Sequence, residues 1–99
     1  PFVMEFNLPA AEERYADLAR AIGLGEGTQE NMARCLIQEV RQLSSDIGIP
    51  RFRDLGVPED RFVEVAEKSF SNNSNPSNAR EAGRDDYLEI LRRAQAEGD

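Results

Sequence analysis

The sequence predicts an all-α fold, a small helical bundle of about four main helices plus a short helical turn. Three observations carry that prediction. Apolar residues recur at three- and four-residue spacing in several separate stretches. Glycine and proline punctuate the chain between those stretches. No run of strict apolar–polar alternation is long enough to argue for a sheet.

The first main helix is expected to follow Pro9, a residue that costs nothing in a first turn because its missing N–H would have no partner there. Glu12 and Glu13 then fall near the positive end of the helix dipole, and Gly23 supplies the stop. Between them Tyr15, Leu18, Ala19 and Ile22 form the expected apolar stripe, opposite Arg14, Asp17 and Arg20. The glycines of Gly23-Leu24-Gly25-Glu26-Gly27 do not read as a phosphate cradle. Such a cradle follows a strand and opens a helix, whereas here a helix comes first and no Walker-type Lys follows.

Thr28 reads as the N-cap of a second helix running to about Ser45, with Met32, Leu36, Val40 and Leu43 on one face and Cys35 and Ile37 widening it. Gly48, able to take a left-handed cap, and Pro50, unable to continue a helix, close it. A short helical turn is expected over Arg51 to Leu55. Pro58-Glu59-Asp60 opens the next helix, whose buried stripe is Phe62, Val63, Ala66 and Phe70. Ser71 to Gly83 is rich in Asn and Ser, whose side chains compete with helical bonding, and must be a loop. The last helix starts near Asp85 and Asp86 and presents Tyr87, Leu88, Leu91 and Ala94 as its apolar stripe.

Residues 1–99 are expected to make one helical domain, marginal by itself because a chain this short buries a small fraction of its surface. The apolar opening Pro-Phe-Val-Met-Glu-Phe, with no Met before it, reads as a chain entered midway. Composition narrows the function classes. At 39% hydrophobic and 31% charged, the chain is too apolar for a disordered tail and too polar for a membrane span. A net charge of −7 disfavours nucleic acid and anionic lipid as partners. The single cysteine, Cys35, permits no intrachain disulfide, points to a cytoplasmic setting, and is expected in the core. Asn72-Asn73-Ser74 formally matches a glycosylation acceptor, which a chain with no secretory signal is not expected to use.

The chain contains no His. That removes the commonest general base and metal ligand, and with one Cys it excludes a thiolate–imidazole zinc site or a Ser–His or Cys–His nucleophile pair within these residues. Carboxylates cluster at Glu59, Asp60, Glu64 and Glu67 and at Asp85, Asp86 and Glu89, spacings that read as solvated helix faces. Residues alone therefore describe an all-helical domain without its own active site, with an all-oxygen cation site or an acid–base pair among the carboxylates as the open alternative. A free-standing helical interaction module, docking a partner helix in a groove, is the alternative reading at this level.

Four segments, in order, carry a family likeness. Pro1-Phe2-Val3-Met4-Glu5-Phe6-Asn7 comes first, then Ile47-Gly48-Ile49-Pro50, then Arg53-Asp54-Leu55-Gly56-Val57. Asn78-Ala79-Arg80-Glu81, followed by Asp85 to Leu91, completes the series. Together they resemble the C-terminal helical portion of the group III, iron-containing alcohol dehydrogenases, beginning just after the family's last metal-binding histidine. Ala79 stands where the family usually has Pro, and Gly83 where a Thr or Ser helix cap is common.

The resemblance implies a parent enzyme with an upstream α/β domain for NAD or NADP and a divalent metal, iron or zinc. In that family the metal, held by an Asp and three His, polarises the oxygen of a small alcohol or aldehyde while hydride passes to or from the nicotinamide. None of those ligands falls within this chain, so the chain alone is not expected to be active. Its implied role is to pack behind the metal-bearing helices of the upstream domains and wall the cleft. Ser74 holds the position of a loop residue near the substrate entrance, and in isolation the chain is expected to self-associate.

Overall fold

The computed structural model describes residues 1–97, and four α-helices and three one-turn 3-10 helices account for most of them. No strand occurs among the described residues. The chain divides into two compact units, one built from Val3–Ile49 and the other from Pro50 onward.

The first unit is a helical hairpin of α1 (Phe2–Ala21) and α2 (Gln29–Asp46). Contrary to the sequence expectation, α1 does not wait for Pro9. It begins at Phe2, with the Glu5 amide donating to the Pro1 carbonyl at 2.9 Å, and Pro9 lies inside it. An interior proline costs a helix about 3 kcal/mol by removing one bond and crowding the preceding turn. The extra two turns offset this by burial. Within them Leu8 is buried, and Met4 packs on the clusters formed by Leu8, Ala33 and Ile37 and by Ala16, Ala19, Met32 and Leu36. Tertiary burial overrides local propensity here.

The buried face of α1 also differs from the predicted stripe. Ala16 and Ala19 are wholly buried, whereas Leu18 and Ile22 remain more than half exposed. The predicted stripe includes Ala19 but not Ala16, a small residue that a pattern weighted toward large side chains passes over. Cys35 is exposed, not in the core. At 100° per residue it lies about 160° around α2 from Ala33 and Ile37, which are buried. Leu43, expected on the apolar face, is 55% exposed in the last turns of α2.

The end of α1 and both ends of α2 follow the predicted punctuation. Thr28 Oγ1 accepts the Asn31 amide at 3.2 Å, as an N-cap should. At Gly48, φ +81°, the amide donates to Ser45 O at 3.1 Å, and the Ile49 amide donates to Ser44 O at 2.9 Å. That pair of bonds is a Schellman stop, and Gly23 makes the same one at the end of α1, with Leu24 N bonded to Ala19 O at 3.0 Å. Across the hairpin, Gln29 Nε2 donates to Glu12 Oε1 at 2.9 Å and the Arg41 guanidinium pairs with the Glu5 carboxylate.

In the second unit, 3-10 turns at Phe52–Leu55 and Glu59–Arg61 lead into α3 (Phe62–Phe70). A third turn, Asn75–Ser77, lies in the polar loop before α4 (Arg84–Glu97). α3 packs on α4, with Phe62 and Ala66 buried from α3 and Ala94 from α4. The rings of Phe52 and Phe62 meet tilted, 5.9 Å between centroids. Val63 and Phe70, both placed in the predicted stripe, are 60% and 37% exposed, so the core face of this short helix narrows to Phe62 and Ala66.

Candidate functional site

The loop from Ser71 to Gly83 is where the sequence put its one candidate contact. Its polar side chains bond back to its own backbone, which is why Asn and Ser dominate it. The Ser74 amide donates to Asn72 Oδ1 at 2.8 Å, and the Ser74 carbonyl accepts the Ser77 amide at 3.0 Å. Ser74 therefore has its backbone held on both sides at the start of the 3-10 turn. Its side chain is exposed, and the hydroxyl takes no partner among the described residues.

Asn75, next in the chain, ties the loop to both flanking helices. Its Nδ2 donates to the carbonyl of Phe70, the last residue of α3, at 3.1 Å. Its Oδ1 accepts from the hydroxyl of Tyr87 on α4. Neither partner was visible in the sequence, where Tyr87 counted only as a member of an apolar stripe. Beside this turn Phe70, Asn75, Pro76, Asn78, Glu81 and Ala82 line a shallow cavity of about 400 Å³.

The two departures from the family pattern have visible compensations. Asn78 is extended, φ −68° and ψ 147°, the conformation that a following proline would favour, although Ala79 follows it. Its Nδ2 donates to Arg80 O at 2.7 Å and helps hold that shape. Gly83 offers no hydroxyl to cap α4, yet its amide donates to Asp86 Oδ2 at 2.9 Å, and Tyr87 N returns to Gly83 O at 3.2 Å. Half of a capping box survives. Arg84 closes the base of the loop, bonded to Glu67 at 3.0 Å with its guanidinium 4.7 Å from the centre of the Phe70 ring.

Of the carboxylates read as solvated faces, all but the capping Asp86 are exposed. Glu64, on α3, is bridged by Lys68 at 3.2 Å and Arg61 at 3.1 Å. The Lys68 hydrogen bond, then the Arg61 charge, hold its carboxyl below the usual value of 4.5. Among the described residues no three His, Cys, Asp or Glu side chains gather as a metal set. An Asp-and-three-His centre does not fit these residues, since its imidazoles are absent from the sequence. No helix among the described residues is long and apolar enough to cross a membrane.

With the fold and loop in place, comparison with known proteins gives the class. Residues 1–95 match the C-terminal model of the Fe-containing alcohol dehydrogenase family, and the chain belongs to that family. It is 37% identical over 97 residues to 1,3-propanediol dehydrogenase of Citrobacter freundii, covering 95% of this chain and 25% of that protein. An NADPH-dependent butanol dehydrogenase from Clostridium saccharobutylicum is 30% identical over 96 residues, 92% of this chain and 25% of the relative. A crystal structure of 1,3-propanediol oxidoreductase superposes with a TM-score of 0.88 at 35% identity, over 95% of this chain and 25% of that one. The chain thus spans about a quarter of the length of the relatives it matches.

Proposed function

We propose that residues 1–99 serve as the C-terminal helical portion of a longer, metal-dependent alcohol dehydrogenase that interconverts a small alcohol and its aldehyde with NAD or NADP. The observation that carries this reading is the match of nearly the whole chain to the C-terminal part of the iron-containing family. Relatives named for propanediol and butanol, one of them NADPH-dependent, support the substrate and cofactor classes. The divalent metal, iron or zinc, and the nicotinamide are held by upstream domains of the same polypeptide. This chain contributes no ligand to either.

Its work in that enzyme is mechanical. The helices pack behind the metal-bearing ones and fix their spacing, since a catalytic constellation must be held to fractions of an ångström by the elements around it. Ser74, exposed and with its backbone fixed, walls the alcohol pocket. The test is the product of the native gene, weighed intact and assayed for metal- and NAD(P)H-dependent aldehyde reduction. A polypeptide about four times this length, active only with metal, is the expected result. A native product of 99 residues without that activity would overturn the proposal and leave a free-standing helical interaction module as the better account.

A further inference from the structure

Asn75 is bonded at both ends of its side-chain amide, and the identity of each partner fixes which end is which. The Phe70 carbonyl can only accept, so the amide nitrogen faces it, at 3.1 Å. The amide oxygen then faces Tyr87, whose hydroxyl donates to it. One side chain in the loop thereby joins the C-terminal end of α3 to the first turn of α4. Ser74 is the residue immediately before it, with its own amide and carbonyl already bonded inside the turn. The loop consequently has one tether running out of it to each helix at the position beside Ser74.

We infer that Tyr87 is a positioning residue for the alcohol pocket, acting through Asn75 to hold the Ser74 segment at a fixed distance from α3 and α4. This rests on the proposed placement of Ser74 in the pocket wall. Tyr87 touches no reacting group. Loss of its hydroxyl leaves Asn75 Oδ1 without its donor and frees the amide to rotate off the Phe70 carbonyl, so the 3-10 turn carrying Ser74 samples more than one position. A wall that wanders weakens binding of a small alcohol and does nothing to the nicotinamide, whose contacts lie elsewhere in the polypeptide.

The experiment uses the polypeptide encoded by the native gene with Tyr87→Phe, Asn75→Ala, the double variant, and Ser74→Trp. Tyr87→Phe keeps the ring and removes only the donor. Expected is an alcohol KM raised about five-fold with the nicotinamide KM unchanged, the weight of one hydrogen bond. Asn75→Ala should act similarly, and the double variant should be no worse than either single one, because the two residues act as one tether. Amide exchange at residues 75, 77 and 78 should quicken in Tyr87→Phe while α3 and α4 keep their protection, a readout that needs no turnover.

An unchanged alcohol KM in Tyr87→Phe, unchanged loop exchange, or a rise in both KM values together with loss of helix protection would each overturn the inference. Ser74→Trp separates this failure from that of the underlying reading. If the bulky residue blocks the alcohol while Tyr87→Phe does not affect it, the wall stands and the tether falls. If neither variant affects the alcohol, both are wrong.

Discussion

Glu64 sits on α3 between Arg61 one turn earlier and Lys68 one turn later, and the two cations settle its charge. Its folded carboxyl is held below the usual 4.5, so the bridge contributes above that value and is lost as pH falls through the lower folded one. Because the group is exposed, the contribution to stability is slight. Lys68→Ala removes the largest influence, and an NMR titration of the Glu64 carboxyl should then show its midpoint move up toward 4.5. A midpoint that stays put would mean that Arg61 alone sets it. The solvated face that carries Glu64 was legible in the sequence, and helical spacing accounts for its partners Arg61 and Lys68. The Tyr87–Asn75 bond was not, since its ends lie twelve positions apart across irregular loop and helix and no periodicity relates them.

At the scale of an element, termini decide how well each helix is specified. Gly48 holds φ +81°, where a Cβ is strained, so Gly48→Ala should lower stability by about 1 kcal/mol. Gly83 has no such constraint. A Cβ there would meet only Asp86 Oδ2 at 3.7 Å, and Gly83→Ser would add the missing hydroxyl to a capping box already half formed. A gain of a few tenths of a kcal/mol is expected. Thermal denaturation of the two variants should move in opposite directions, and a stabilised Gly48→Ala or a destabilised Gly83→Ser would show the caps misread. The same chemistry explains which elements the sequence revealed. Thr28 and Gly48 bracket α2 within two residues of its observed ends because both act locally. α1 defied its local signal because Leu8 and Met4 gain more by packing on the hairpin than Pro9 loses. Burial of that kind depends on a partner helix that local reading does not supply.

For the molecule as a whole, the exposed apolar residues have a pattern. Leu18 and Ile22 are 54% and 58% exposed, and Leu43 and Ile47 are 55% and 64% exposed. In each pair the second residue caps the helix that carries the first, four positions on, so the two lie one turn apart, with Ile49, 55% exposed, just beyond the second. Scattered exposed leucines need no explanation, but paired ones are surfaces that a partner would cover. In the relatives three quarters of the polypeptide lies outside the matched region, and that is where such cover is expected. Isolated as 99 residues, the chain should therefore self-associate, with sedimentation velocity showing a weight-average mass that rises with concentration. Its net charge of −7 works against contact between copies. Raising salt from about 0.1 to 1 M shortens the screening length from about 10 to 3 Å, so association should tighten with salt. Leu43→Glu with Ile47→Glu should weaken it by removing one spot and adding charge. A monomer at every concentration and salt level would mean that these pairs are ordinary surface and that the chain needs no cover.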